Sequence, residues 1–161
     1  LRGSGDDAAA RDLLTAALKK HPDEAKLLLT LGRLLIDLKE LDEAAKIYEH
    51  GRKVAPLEGD WLDQLSRIYK MSQKNEQLIN VLQEIITQDP DELDGRIRIA
   101  ETCLEANKPE EAERFARDAL QIDVNSDAAR KLLIKALKAQ NNTAEIEKLE
   151  KRFQLGQDSN K

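Results

Sequence analysis

Pro22, Pro56 and Pro90 stand 34 residues apart, and Val124 fills the next place in the series. A unit of that length, made of two apolar-striped helices, cannot bury its hydrophobic face alone. Successive copies must stack side by side, giving a solenoid with a long open surface instead of a closed globule. The register extends well beyond the prolines. Gly32, Ser66 and Ala100 coincide at the same step, as do Leu31, Leu65, Ile99 and Leu133, and Leu35, Tyr69, Cys103 and Leu137. Ala10, Ala44 and Ala112 share another register, and Ala17, Gly51 and Ala119 a third. Small side chains recur where helices must approach closely, and large apolar ones recur where the same helices need filling.

Apolar residues recur at helical spacing through Leu27, Leu31, Leu34, Leu35 and Leu38, and strong helix formers dominate, so the fold class is all-α. Local chemistry places about nine helices, near 7–20, 23–38, 41–54, 58–71, 75–88, 92–106, 109–121, 126–140 and 143–155. Pro22-Asp23-Glu24 and Pro90-Asp91-Glu92 put acids where free amides and the positive end of a helix dipole favour them. Pro109 suits a first helical turn, where its missing N–H has no partner to lose. Residues 1–6 are expected to be a flexible lead-in and 156–161 a frayed tail. Between them, 7–22 forms the second helix of a partial unit, 23–56, 57–90 and 91–124 are full units, and 125–155 is a divergent fourth.

The best copy reads Leu28, Leu31, Gly32 and Leu35, then Ala44, Tyr48, Gly51 and Pro56. This pattern resembles the tetratricopeptide repeat family, across nearly the whole chain. The next copy keeps Leu62, Leu65, Tyr69 and Pro90 but carries Ser66, Leu78 and Ile85 at the small positions, so looser packing is expected there. The third has Ile99, Ala100, Cys103, Ala112 and Ala119, with Arg96 in place of a bulky apolar residue. In the fourth, Leu133, Leu137, Ile146 and Phe153 fit poorly, so its register is the least secure. The resemblance implies a right-handed superhelical solenoid of antiparallel helix pairs. A chain that starts halfway through a unit and without Met is expected to be a fragment of a larger protein.

No catalytic constellation emerges. His21 and His50 fall at corresponding late positions of second helices, with no thiol, serine motif or acid arranged around them, so they read as solvated helix ends. Cys103 replaces an inward apolar residue and reads as a small buried hydrophobe. Clustered metal ligands and glycine-rich phosphate loops are missing, so no cofactor and no enzyme activity are expected. Asn141-Asn142-Thr143 matches a glycosylation acceptor, a triplet common by chance. Carboxylates at Glu110 and Glu147 are spaced to pair with Arg114 and Lys151 on the surface. There is no apolar run long enough to span a bilayer. A cytoplasmic location is favoured, with export of the parent protein left open.

The resemblance implies that first helices line a concave groove. It assigns there Lys26, Leu29, Thr30, Arg33, Ile36 and Asp37 of the first full unit and Asp60, Asp63, Gln64, Arg67, Lys70 and Met71 of the second. The third offers Asp94, Ile97, Arg98, Glu101, Leu104 and Glu105, and the last Ala128, Lys131, Leu132, Lys135, Lys138 and Ala139. Partner binding is expected at Arg33, Asp37, Asp63, Gln64, Arg67, Lys70, Arg98, Glu101, Lys131 and Lys135. Guanidinium groups grip carboxylates through paired hydrogen bonds, so an acidic or C-terminal peptide is the ligand class. The carboxylate clamp of chaperone-tail binders is matched only at Arg98, and no tight clamp of that kind is expected.

A protein-interaction scaffold is the leading function, with a structural arm of a catalytic or secretion component as the alternative. Self-association through Leu13 and Leu14 of an uncovered first helix is the third reading. With 26 bases against 31 acids, the net charge of −5 opposes nucleic-acid binding. Trp61 is expected to pack against the preceding unit, with exposure at the groove mouth as the alternative.

Overall fold

The computed structural model describes residues 4–158, with side chains from Asp6 to Phe153. The described residues form α1 (Ser4–Lys20), α2 (Ala25–Asp37), α3 (Leu41–Val54), α4 (Trp61–Met71), α5 (Asn75–Gln88), α6 (Leu93–Glu105), α7 (Pro109–Ile122), α8 (Asp127–Ala139) and α9 (Thr143–Asp158), and no strand. The all-α expectation holds. They form two compact units that divide inside α5, after Val81.

The backbone repeats more faithfully than the side chains do. Lys39, Gln73, Asn107 and Asn141, each 34 residues from the next, are the non-glycine residues with positive φ among those described, at 64°, 56°, 56° and 58°. Each follows a first helix and ends it in the same way. Glu40 N–H donates to Leu35 O, Lys74 to Tyr69 O, Lys108 to Cys103 O and Asn142 to Leu137 O, at 2.8–2.9 Å. The preceding N–H of Lys39, Gln73, Asn107 and Asn141 donates to Ile36, Lys70, Leu104 and Lys138. This double closure is a Schellman cap, which satisfies carbonyls the helix end leaves orphaned.

The prolines have an equally local cause. N–H groups of Glu24, Glu58, Glu92 and Ser126 donate back three residues to His21, Ala55, Asp89 and Asp123. Pro22, Pro56, Pro90 and Val124 therefore occupy the second position of a four-residue turn, which proline's fixed φ suits. They precede α2, α4, α6 and α8 and stand outside them, so α2 and α6 begin later than their acid clusters suggest. Helix α4 likewise starts at Trp61, with Asp60 as its cap residue, and not near 58. Pro109 does open α7.

In the first unit the core is built from Leu28, Leu31 and Leu35 of α2, Ala44 and Tyr48 of α3, and Trp61, Leu65 and Ile68 of α4. A Cβ at Gly32 would fall 2.6 Å from Tyr48 Cε2, so α2 and α3 reach this spacing only because position 32 lacks one. Trp61 lies over Gly51 and edge-on to Tyr48, with ring centroids 6.0 Å apart, and its Nε1–H donates to Ala55 O at 2.7 Å. It is packed, as expected. In the second unit Ile99, Ala100 and Cys103 of α6 meet Ala112, Ala116 and Ala119 of α7, and Leu133 and Leu137 of α8 continue the core.

Some expectations need correction. Residues 4–6 belong to α1 and not to a lead-in, and residues 156–158 belong to α9 and not to a frayed tail. Residues 1–3 and 159–161, the rest of those segments, lie outside the described residues. Ile36 and Leu132, expected in the groove, are buried core side chains. Arg114 lies 4.6 Å over the Phe115 ring in place of the expected pairing with Glu110.

Candidate protein-binding site

Helices α2 and α4 each present a guanidinium at the same register, Arg33 and Arg67, and both side chains are exposed. Neither has an ion-pair partner within 4 Å among the described residues. Around them stand Asp37, Asp63 and Lys70, exposed, and Gln64, half-buried, whose Nε2–H donates to Asp60 Oδ2 at 2.7 Å. Beneath them is Tyr48 of α3. Its hydroxyl passes Gly32, lying 3.1 Å from where a Cβ would stand, and is buried without a hydrogen-bond partner. Burial pushes its pKa up; the Arg33 charge opposes this, Asp60 adds to it, and the nearby Arg33 N–H groups and the Arg67 charge oppose it again. Two exposed guanidinium groups one repeat apart form a place where a carboxylate can be gripped.

The outer side chains of the same unit are already neutralised. Arg52 Nε–H donates to Glu49 at 2.8 Å, Tyr69 Oη–H donates to the same carboxylate at 3.1 Å, and Lys74 pairs with Asp42. Burial and the Glu49 charge push Tyr69 up to about 12. In the second unit, α6 and α8 pack together and carry Arg98, half-buried, exposed Glu101, and exposed Lys131 and Lys135. Their spacing puts Lys131, Lys135 and Lys138 along one exposed stripe of α8.

A tetratricopeptide repeat family model matches residues 1–68 and 74–133. This chain belongs to the tetratricopeptide repeat family. Among solved structures it is similar to MamA, at 18% identity with a TM-score of 0.67 over 91% of this chain and 80% of that one. A tetratricopeptide repeat protein from Parabacteroides merdae is 21% identical, with a TM-score of 0.65 over 89% of this chain and 57% of its own. These likenesses show the fold alone. No curated protein sequence matches the chain. Tetratricopeptide repeats are protein-interaction scaffolds that bind protein partners and are generally not catalytic. No helix among the described residues is long and apolar enough to cross a membrane.

Within this tetratricopeptide repeat the reactive side chains are structural. Cys103 is buried, and burial followed by the Glu111 charge pushes its thiol up to about 11, so the nucleophilic thiolate is suppressed at neutral pH. His50 Nε2 lies 3.1 Å from Asp23 Oδ1 and 3.2 Å from Pro22 O, tying α3 to the preceding turn. Sequence reasoning missed the Tyr48 hydroxyl. The signal was present: Leu82, Ala116 and Glu150 hold the equivalent places, so of the four only Tyr48 can offer a hydroxyl.

Proposed function

We propose that this tetratricopeptide repeat is a non-catalytic scaffold, and that Arg33 and Arg67 hold a carboxylate of an acidic or C-terminal peptide. The observation that carries this reading is that Arg33 and Arg67, one repeat apart on α2 and α4, are both exposed, have no ion-pair partner among the described residues, and are near enough to Tyr48 for both charges to act on it. Asp37, Asp63, Gln64 and Lys70 border that place and would select against ligands of the wrong charge pattern. On the second unit, Arg98, Glu101, Lys131 and Lys135 offer a further contact surface of mixed charge. Capture from native extract tests the reading. A specific partner should be retained by the wild type and by Lys46→Glu on the outer face, and lost with Arg33→Glu and Arg67→Glu. Equal capture by all variants would refute it.

Self-association is a second reading, favoured by Leu13, whose side chain is 72% exposed on α1. Light scattering that gives a monomer mass at every concentration would remove it.

A further inference from the structure

The fourth helix pair breaks the core pattern at three places at once. Where the first pair has Leu28, Tyr48 and Gly51, it has Arg130, Glu150 and Phe153. A phenylalanine cannot enter the slot that Gly51 leaves for a neighbour, and Glu150 stays exposed, so α9 does not close on α8 as α3 closes on α2. Phe153 instead lies under the Arg130 guanidinium, 4.7 Å from ring centroid to Cζ. Between α7, α8 and α9 this leaves a cavity of about 640 Å³, within the range of ligand sites.

The lining is amphipathic in an ordered way. Leu120, Val124 and Phe153 supply apolar wall, and Val124 is 64% exposed. Arg117, Arg130 and Arg152 supply charge, and no carboxylate is among the described residues that line the cavity. Two of these guanidinium groups are held in place. Arg117 bonds Glu113 at 2.8 Å and Glu145 at 3.2 Å. Arg130 donates through Nε and Nη2 to Val124 O at 3.1 and 2.7 Å, and through Nη2 to Asn125 Oδ1 at 3.1 Å. Its Nη1 is 3.9 Å from the Asp127 carboxylate, beyond hydrogen-bonding reach. Arg152 has no hydrogen bond among the described residues, so two donor groups remain for a ligand.

We propose that this cavity is a second docking site, separate from Arg33 and Arg67, for a partner peptide that sets a carboxylate beside a large apolar side chain. The apolar wall takes the side chain, while Arg130 Nη1 and Arg152 take the carboxylate. Charge complementarity selects an acidic peptide over a neutral one.

Amide NMR of the full chain tests this with a capped peptide of leucines and glutamates flanked by glycine. Saturable shifts should appear from Leu120 to Arg130 and around Arg152, and should persist when Arg33→Glu and Arg67→Glu remove the first site. Replacing the glutamates by glutamine, or Arg152→Gln, should weaken binding about tenfold, the equivalent of one charge-assisted hydrogen bond. Val124→Asp adds an acid at an exposed turn position and should abolish the shifts without unfolding α9. Equal binding of the glutamine peptide, shifts confined to other helices, or the same shifts from inorganic phosphate alone or from raising protein concentration would each overturn the proposal.

Discussion

A methyl group at position 32 would meet the Tyr48 ring at 2.6 Å, and Tyr48 is fully buried with nowhere to retreat. Gly32→Ala should therefore cost about 1–3 kcal/mol in chemical denaturation, the usual penalty of overpacking. Tyr48→Phe separates the ring from its hydroxyl. Because that hydroxyl has no hydrogen bond of normal geometry within the fold, its loss should leave stability unchanged or raise it by about 1 kcal/mol. A marked loss of stability would show that the hydroxyl is bonded within the fold. Cys103 gives a pH signature. The unfolded chain releases its thiol proton near the ordinary value of 9.0 and the folded chain near 11, so folding stability present below pH 9 falls as pH rises through that window. Urea denaturation across the window should show the fall, and Cys103→Ala should reduce it, leaving the part above pH 10 that Tyr69 contributes.

At the scale of the element, the helices were readable from apolar spacing, and the turn prolines marked the joints between pairs. The Schellman caps were only half readable: Asn107 and Asn141 suit the left-handed cap, but Lys39 and Gln73 carry no signal for it, and only the backbone repeats at all four. Positive φ costs a side chain that glycine does not have. Gln73→Gly should thus stabilise the protein by about 0.5–1 kcal/mol, and Asn107→Gly by less, because asparagine already tolerates that conformation. A lower melting temperature for Gln73→Gly would contradict the cap. Helix α7 tests the small-residue register: Ala112 is fully buried against α6, so Ala112→Leu should destabilise by about 1–3 kcal/mol. Helix α9 was legible only as a misfit. Arg130, Glu150 and Phe153 announce that the core is interrupted, yet a one-dimensional pattern does not say whether the gap collapses or stays open as a cavity.

At the scale of the whole chain, family membership and the placement of charge bear on function in different ways. The repeat gives an interaction scaffold, and paired outer ions such as Arg52 with Glu49 leave that side internally neutralised. Arg33 and Arg67 are where such neutralisation stops, which is why an acidic ligand is assigned to them. The sequence already aligned those two arginines at one repeat step; it did not reveal the hydroxyl below them, because Tyr48 also satisfies the apolar pattern of its helix. Hydrogen exchange of the full chain, with and without its captured partner, puts the assignment to the most direct test. The account predicts that binding slows exchange in α2 and α4 around Arg33 and Arg67, and that Arg67→Glu removes this protection. Protection confined to the outer helices, or undiminished in that variant, would contradict it.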